Sequence, residues 1–271
     1  EKDYAATETT KTVSSIWTEG DAIGVTTAAG ISKISYIMTD DRNVKYAYNA
    51  EKDVFQVVSK EGEDHTIYFK GPYTMSMTAY APYTGERGTL AGVIQASTTS
   101  EKQVGTARAT IDFLYAEGGG SHTNPRVEFQ FFHKMSQLVL AFKAGGGLEL
   151  DDISYTLKNI ILDGSFDTSA GSVASDKTTG NINMSLAKGK EMNSSVIVFP
   201  QKLASTLLLE LAMGGKTYAQ PIGNGIDLIS GNTYIFDVTI APQSMTVSPA
   251  KIEDWIWGEN SDHYVIAGES E

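Results

Sequence analysis

Near the middle of the chain lies the stretch Val127-Glu-Phe-Gln-Phe-Phe-His-Lys-Met-Ser-Gln-Leu-Val-Leu-Ala-Phe142, the most apolar and aromatic long run of the sequence. Up to Phe131, apolar and polar residues alternate, which is the period-2 pattern of a half-buried strand. After Ser136 the apolar set moves to the even positions. A continuous strand cannot absorb such a one-residue shift, so we expect a bulge or turn at His133–Ser136 with a core strand on each side. The predicted core residues are Phe129, Phe131, Leu138, Leu140 and Phe142.

The sequence before this stretch favours a division of the chain. Gly118-Gly-Gly-Ser-His-Thr-Asn-Pro125 is its best linker candidate. With 271 residues, 41% of them hydrophobic, the chain suits two domains that each have a core. We therefore predict an N-terminal domain over residues 1–124 and a C-terminal domain over residues 125–271. The central stretch would open the second domain and lie in its core.

Short strand-like segments recur along the whole chain, and no amphipathic helix is convincing. Tyr234–Ile240 alternates strictly, and Gly214-Gly215 separates two apolar runs as a two-residue hairpin turn does. The polar residues 1–15 are either a leader or one weak strand, and His263–Ile266 could add a last strand. The pattern predicts an all-β fold of two tandem β-sandwiches.

Charge and composition exclude several classes of function. The net charge of -12 argues against nucleic acid as a partner and against an anionic membrane surface. The sequence contains no run of about 18 apolar residues, which is the length that a transmembrane helix needs. Zero cysteines exclude disulfides, thiol catalysis and zinc sites built on cysteine.

The sequence offers no catalytic or metal-binding arrangement. The four histidines are far apart, and we expect His133 to be a structural residue bonded to the main chain. Met213-Gly-Gly-Lys-Thr217 resembles a phosphate loop, but Glu210 stands where that motif needs glycine. We predict that the chain is not an enzyme and uses no cofactor or metal.

Two tryptophans near the end of the sequence leave a choice open. Trp255 and Trp257 are two residues apart, so on a strand they would share a face. Such a pair could pack in a core or stack against a sugar ring. Exposure of both would favour a surface carbohydrate-binding protein of a glycan-uptake system.

Short motifs placed in order along nearly the whole chain resemble those of the fimbrillin-like proteins of Bacteroidales. They are Trp17–Gly24, Ala79–Tyr83, Asp112–Ala116, Phe129–Phe131, His133–Leu138, Val196–Pro200, Gly231–Tyr234 and Ile252–Trp255. The resemblance implies two tandem β-sandwiches with transthyretin-like topology. It also implies a structural or adhesive subunit, or a tip component, of a bacterial surface fimbria.

The resemblance further implies how such a subunit matures and assembles. The precursor would be exported as a lipid-anchored lipoprotein of the outer membrane and trimmed by an arginine-specific protease. A strand from the next subunit would then fill a groove, so the partners are other fimbrial subunits, besides an unknown host or bacterial surface ligand. The first arginine, Arg42, is the candidate processing site, and residues 1–15 lack a strongly apolar first strand. The candidate polymerisation residues are Met245, Val247, Trp255 and Trp257.

Overall fold

The computed structural model describes residues 3–6, 13–27, 41–69, 74–189, 192–256 and 263–266, the ranges 3–6, 13–16 and 263–266 by their main chain. The regular secondary structure of the described residues is nearly all β-strand, so the predicted all-β class is confirmed. The helical part described is two 3-10 turns, Ser100–Gln103 and Gly105–Thr110.

Twenty-two strands lie in the described ranges. In the first half of the chain they are β1 (Asp3–Ala6), β2 (Val13–Ile16), β3 (Ala22–Thr27), β4 (Val44–Asn49), β5 (Val54–Val57), β6 (Met75–Ala81), β7 (Val93–Ser97), β8 (Leu114–Gly120), β9 (Arg126–Phe129) and β10 (Phe132–His133). In the second half they are β11 (Ser136–Ala144), β12 (Ile153–Ile161), β13 (Asp163–Asp167), β14 (Ser172–Ser175), β15 (Thr179–Leu186), β16 (Met192–Val198), β17 (Leu208–Met213), β18 (Lys216–Pro221), β19 (Asn232–Ala241), β20 (Ser244–Val247), β21 (Lys251–Asp254) and β22 (His263–Ile266).

The first sandwich is one eight-stranded sheet folded round an aromatic core. Its strand order is β10-β8-β6-β3-β4-β5-β22-β9. The sheet curls so far that β9, at one end of the order, contacts β8, near the other end. Apolar side chains from most strands therefore meet inside the curled sheet. The core includes Trp17, Ile23, Val25, Val44, Tyr46, Phe55, Phe69, Val127, Phe129 and Phe131. Strands β1 and β2 form a separate two-stranded antiparallel sheet.

The second sandwich packs two sheets face to face. One has the order β16-β11-β19-β20, with β21 also on β19, and the other has the order β15-β12-β17-β18. The strands β11 and β19 pair in parallel at the centre of the first of these sheets. The predicted hairpin at Gly214-Gly215 is confirmed, and both glycines have positive φ, as a two-residue hairpin turn requires. The core includes Leu138, Leu140, Phe142, Tyr155, Leu157, Val196, Leu209, Leu211, Tyr234 and Phe236.

A third, smaller sheet joins the two halves. Strand β7 from the first half pairs with β13 from the second, which also pairs with β14. A separate apolar cluster lies at this junction. Its buried members are Tyr80, Ile111, Phe113, Tyr115, Met135, Phe166, Ile197, Phe199 and Trp255.

The central stretch breaks where its parity predicts. Strand β10 ends at His133 and β11 begins at Ser136. The two parts nevertheless lie in different sheets, so the prediction that Phe129 and Phe131 belong to the core of the second sandwich is wrong. Both pack in the core of the first sandwich because the chain crosses to the second only after His133. The division between residues 124 and 125 into independent domains stays a prediction.

The glycine run is a strand and not the expected linker. Gly118–Gly120 end strand β8 and pair with β6. A Cβ atom on Gly118 would lie 2.8 Å from the carbonyl oxygen of Glu128, and one on Gly120 would lie 2.5 Å from the ring of Phe69. Glycine is needed here because neighbouring groups pack directly against the main chain.

Candidate functional site

The first sandwich contains a strand from a distant part of the sequence. Strand β22 lies between β5 and β9, and we call the gap that it fills the strand slot. It pairs in parallel with β5, where Tyr264 is opposite Val54, and antiparallel with β9, where Tyr264 is opposite Glu128. The entire second sandwich separates β22 from the rest of its sheet in sequence. The sheet is therefore completed by a segment that is joined to it only through another sandwich.

Large aromatic rings lie in the core under the strand slot. Phe55 on β5 and Phe129 on β9 are almost fully buried. The ring of Trp17 packs edge-on against Phe55 at 4.9 Å between centroids and against Phe131 at 5.4 Å. Tyr48 packs beside Phe55, and burial, followed by its hydrogen bond to Asp53, raises the pKa of Tyr48 to about 12. The slot therefore has a broad, neutral and apolar floor.

The two sides of the slot are held by the rest of the first sandwich. Strand β5 pairs with β4 on its other side, and the main chain of β9 packs against the glycines of β8. Without β22, each side would present unpaired N–H and C=O groups, which is the usual condition for accepting a further strand. The site can bind an extended segment through main-chain hydrogen bonds, and its floor can receive apolar side chains.

The segment that leads to β22 is fixed at Trp255. The indole of Trp255 stacks on the ring of His133, with 3.9 Å between centroids and 5° between planes. Nδ1 of His133 lies 2.6 Å from a carboxylate oxygen of Asp112, and both side chains are buried. The main-chain N–H of Trp255 donates to the carbonyl oxygen of Gly231 at 2.7 Å. Eight residue-to-residue steps then lead from Trp255 to His263, the first residue of β22.

The sequence profile of fimbrillin-like proteins matches residues 6–255, which is most of the chain. The chain belongs to the fimbrillin-like family. The resemblance found from the sequence motifs is thereby confirmed.

Individual relatives agree with this membership. The chain is 27% identical over 265 residues to Fim1C, a candidate fimbrium subunit of Bacteroides uniformis, and the match covers 92% of this chain and 82% of that protein. The structure of a candidate cell-adhesion protein from Bacteroides ovatus has 32% identity, a TM-score of 0.79 and coverage of 90% of both chains. A second such protein, from Bacteroides uniformis, has 24% identity, a TM-score of 0.70 and coverage of 88% of this chain and 93% of its own, and it shows the shared fold.

The structure describes three of the four candidate polymerisation residues of this fimbrillin-like chain, and all three lie outside the strand slot. Met245 is buried in the core of the second sandwich, and Val247 packs against the same core. Trp255 is buried at the junction, and Trp257 lies outside the described residues. Their role in polymerisation stays a prediction. Because Trp255 is only 5% exposed, it provides no surface for stacking against a sugar.

The candidate processing residue is accessible. Arg42 is exposed in the bend before β4, and its carbonyl oxygen accepts a hydrogen bond from the N–H of Gly88. Cleavage there would separate β3 from β4, which are neighbours inside the first sheet. Its use as a processing site stays a prediction.

His133 has a different partner from the one expected. It is a buried structural residue, but its Nδ1 bonds to the carboxylate of Asp112, whereas a main-chain partner was expected. Sequence reasoning missed this pair because 21 residues separate its members. It also missed the location of β22, since the pattern of His263–Ile266 predicts a strand but not its neighbours.

A groove of about 520 Å³ crosses the outer face of the β15-β12-β17-β18 sheet and is lined by polar groups that include Thr156, Asn183 and Glu210. In the described ranges, no group of three or more His, Asp or Glu side chains could hold a metal ion. In the part of the chain that the structure describes, no helix is long and apolar enough to cross a membrane.

Proposed function

We propose that this chain is a non-enzymatic structural or adhesive subunit of a cell-surface fimbria, and that such subunits join by strand donation. In the assembled fimbria, the β22 segment of one subunit fills the strand slot of the next. The observation that carries the proposal is the position of β22, which completes the first sandwich from beyond the second. Family membership and the candidate fimbrium and adhesion relatives support the same function.

Exchange of β22 between subunits changes the free energy little. A subunit whose own β22 fills its slot makes one set of main-chain hydrogen bonds, and a subunit that receives a neighbour's β22 makes the same set. Domain swapping of this kind changes the source of a strand while it conserves the contacts. Release of the strand exposes two unpaired edges and an apolar floor, so a filled join dissociates slowly.

The proposal also covers the maturation of the protein and its location. The precursor is a lipoprotein that reaches the outer membrane and is lipid-anchored there. Arg42 is the processing residue, because it is exposed and lies on a connection between strands. A purified precursor treated with an arginine-specific protease should then be cut after Arg42, and Arg42→Lys should prevent that cut. Cleavage elsewhere alone would contradict the assignment.

Engineered cysteines can test strand donation, because the natural chain has none. Glu128 is exposed and lies opposite Tyr264 in the strand register. Glu128→Cys and Tyr264→Cys in one chain should give an internal disulfide in the free subunit. When two singly substituted chains are mixed and allowed to assemble, they should form a disulfide between subunits, read on a non-reducing gel.

A collision control uses a second exposed glutamate. Glu149 lies in the connection between β11 and β12, in the second half of the chain. Chains with Glu149→Cys mixed with chains carrying Glu128→Cys should give little disulfide. Polymers without the disulfide between residues 128 and 264, or equal yields in both mixtures, would rule out strand donation through this slot.

A further inference from the structure

Three segments meet where the chain leaves the second sandwich toward β22. The hydroxyl of Ser136 donates to the carbonyl oxygen of Ile229 at 2.8 Å, and the N–H of Gly231 donates to the carbonyl oxygen of Met135 at 2.9 Å. The bond from Trp255 to Gly231 adds the third segment. Residues 132–136, 229–231 and 252–256 are therefore held together around the stacked rings of Trp255 and His133.

These three segments expose large apolar side chains, which we call the exit surface. Its members are Phe132, Ile229, Ile252 and Ile256, with 55%, 58%, 56% and 66% of each exposed. They are half of the eight large apolar residues that are exposed in the described ranges. Single exposed apolar residues are ordinary, but several on adjoining segments indicate an interaction surface.

We propose that the exit surface seats the body of the neighbouring subunit, a second copy of this chain, and this rests on the proposed strand donation. Trp255 fixes one end of the donated segment to the donor, because its ring stacks on His133 and its main-chain N–H bonds to Gly231. Eight extended residues reach at most about 29 Å. The acceptor's slot must then lie within that distance of Trp255, which brings the acceptor's body against the exit surface.

The charge of the chain favours an apolar seat over a charged one. Each subunit carries a net charge of -12, so two copies repel each other at long range. The members of the exit surface carry no charge, and their burial between subunits is favourable. The donated strand provides the durable join, and the exit surface fixes the position of one body against the next.

Two variants with matched chemistry test the proposal. Phe132→Ser with Ile256→Ser alters the exit surface, and Leu90→Ser with Val104→Ser alters two apolar residues that are exposed elsewhere. Each pair is built into the chains with Glu128→Cys and Tyr264→Cys. Thermal unfolding of both variants should match the parent, since all four side chains are exposed.

The measured quantity is the rate at which the disulfide between subunits forms. The exit-surface variant should form it about tenfold more slowly than the parent, and the control variant should stay within about twofold. In chains that carry both cysteines, the internal disulfide should form equally in all variants. This result would show that the exit surface acts between bodies and not on β22 itself.

Three results would overturn the proposal. Equal rates for the parent and the exit-surface variant would show that this surface seats nothing, while the disulfide itself would leave strand donation standing. Equal slowing in both variants would indicate a general effect of removing surface apolar groups. If the parent chains form no disulfide between subunits at all, strand donation fails and the exit surface fails with it.

Discussion

The two sandwiches differ in how they are completed. The second draws both of its sheets from strands between Ser136 and Asp254, a span from which only β13 and β14 join the third sheet. The first draws seven strands from the segment that ends at His133 and takes its eighth, β22, from residues 263–266. A sheet that depends on a distant strand can receive that strand from another molecule, whereas a sheet built from neighbouring segments has no such opportunity.

The cores of the two sandwiches also differ in the kind of side chain that fills them. Aliphatic side chains dominate the core of the second sandwich, while rings such as Trp17, Phe55 and Phe131 form much of the core of the first. Large rings bury a wide area and pack edge to face, as the Trp17 contacts do. The floor of the strand slot is therefore formed mainly by rings that the first sandwich itself supplies. The difference supports the proposal that the first sandwich accepts a strand and the second carries one.

The largest expected effect comes from breaking the aromatic core of the first sandwich. Phe131→Ala should lower the free energy of unfolding by about 3–5 kcal/mol, because the ring is 4% exposed and packs on Trp17. Urea titration measures the loss. The adjacent Phe132 is the control, since it is 55% exposed and Phe132→Ala should cost less than about 0.5 kcal/mol. Equal losses for the two variants would contradict the placement of this stretch.

A smaller effect is expected at the link between the sandwiches. Trp255→Ala removes the ring that stacks on His133 and should cost about 3 kcal/mol, and Trp255→Phe should cost less because it keeps a stacked ring. Hydrogen exchange locates the damage: protection should fall at Val54–Val57, beside β22, and persist at Leu138–Phe142. Uniform loss of protection would show that Trp255 supports the whole fold and does not specifically anchor the segment to β22.

The smallest effect is expected on the outer face of the second sandwich. Nζ of Lys158 lies 2.7 Å from a carboxylate oxygen of Glu210, and the two side chains are 36% and 40% exposed. Lys158→Ala should therefore cost only about 0.5 kcal/mol in urea titration, because water screens the pair. A loss above about 2 kcal/mol would indicate that this face is covered in solution.

Local sequence patterns predict the features that depend on neighbouring residues. They locate the break at His133–Ser136, the hairpin at Gly214-Gly215 and the all-β class, because side-chain period and turn chemistry act over a few residues. They fail for Gly118–Gly120, where glycine is required by the packing of Glu128 and Phe69 and not by flexibility.

The candidate site is harder to predict for the same reason. The pattern of residues 263–266 predicts a strand, but which edges it joins is decided by Val54–Val57 and Arg126–Phe129. Those contacts span more than a hundred residues and leave no periodic signal. In the sequence, Trp255 could equally stack on a sugar, and only the structure shows that its ring is covered by His133.

The proposal requires the first sandwich to accept an exchangeable strand. The most direct test is a chain that ends at residue 262, to which a peptide of residues 257–271 is added. Hydrogen exchange should show low protection of Val54–Val57 and Arg126–Phe129 in the shortened chain, with protection restored as the peptide binds. Strand β11 should be unchanged throughout. If the peptide does not bind, or if Val54–Val57 and Arg126–Phe129 are equally protected with and without it, the first sandwich is complete by itself and the account is contradicted.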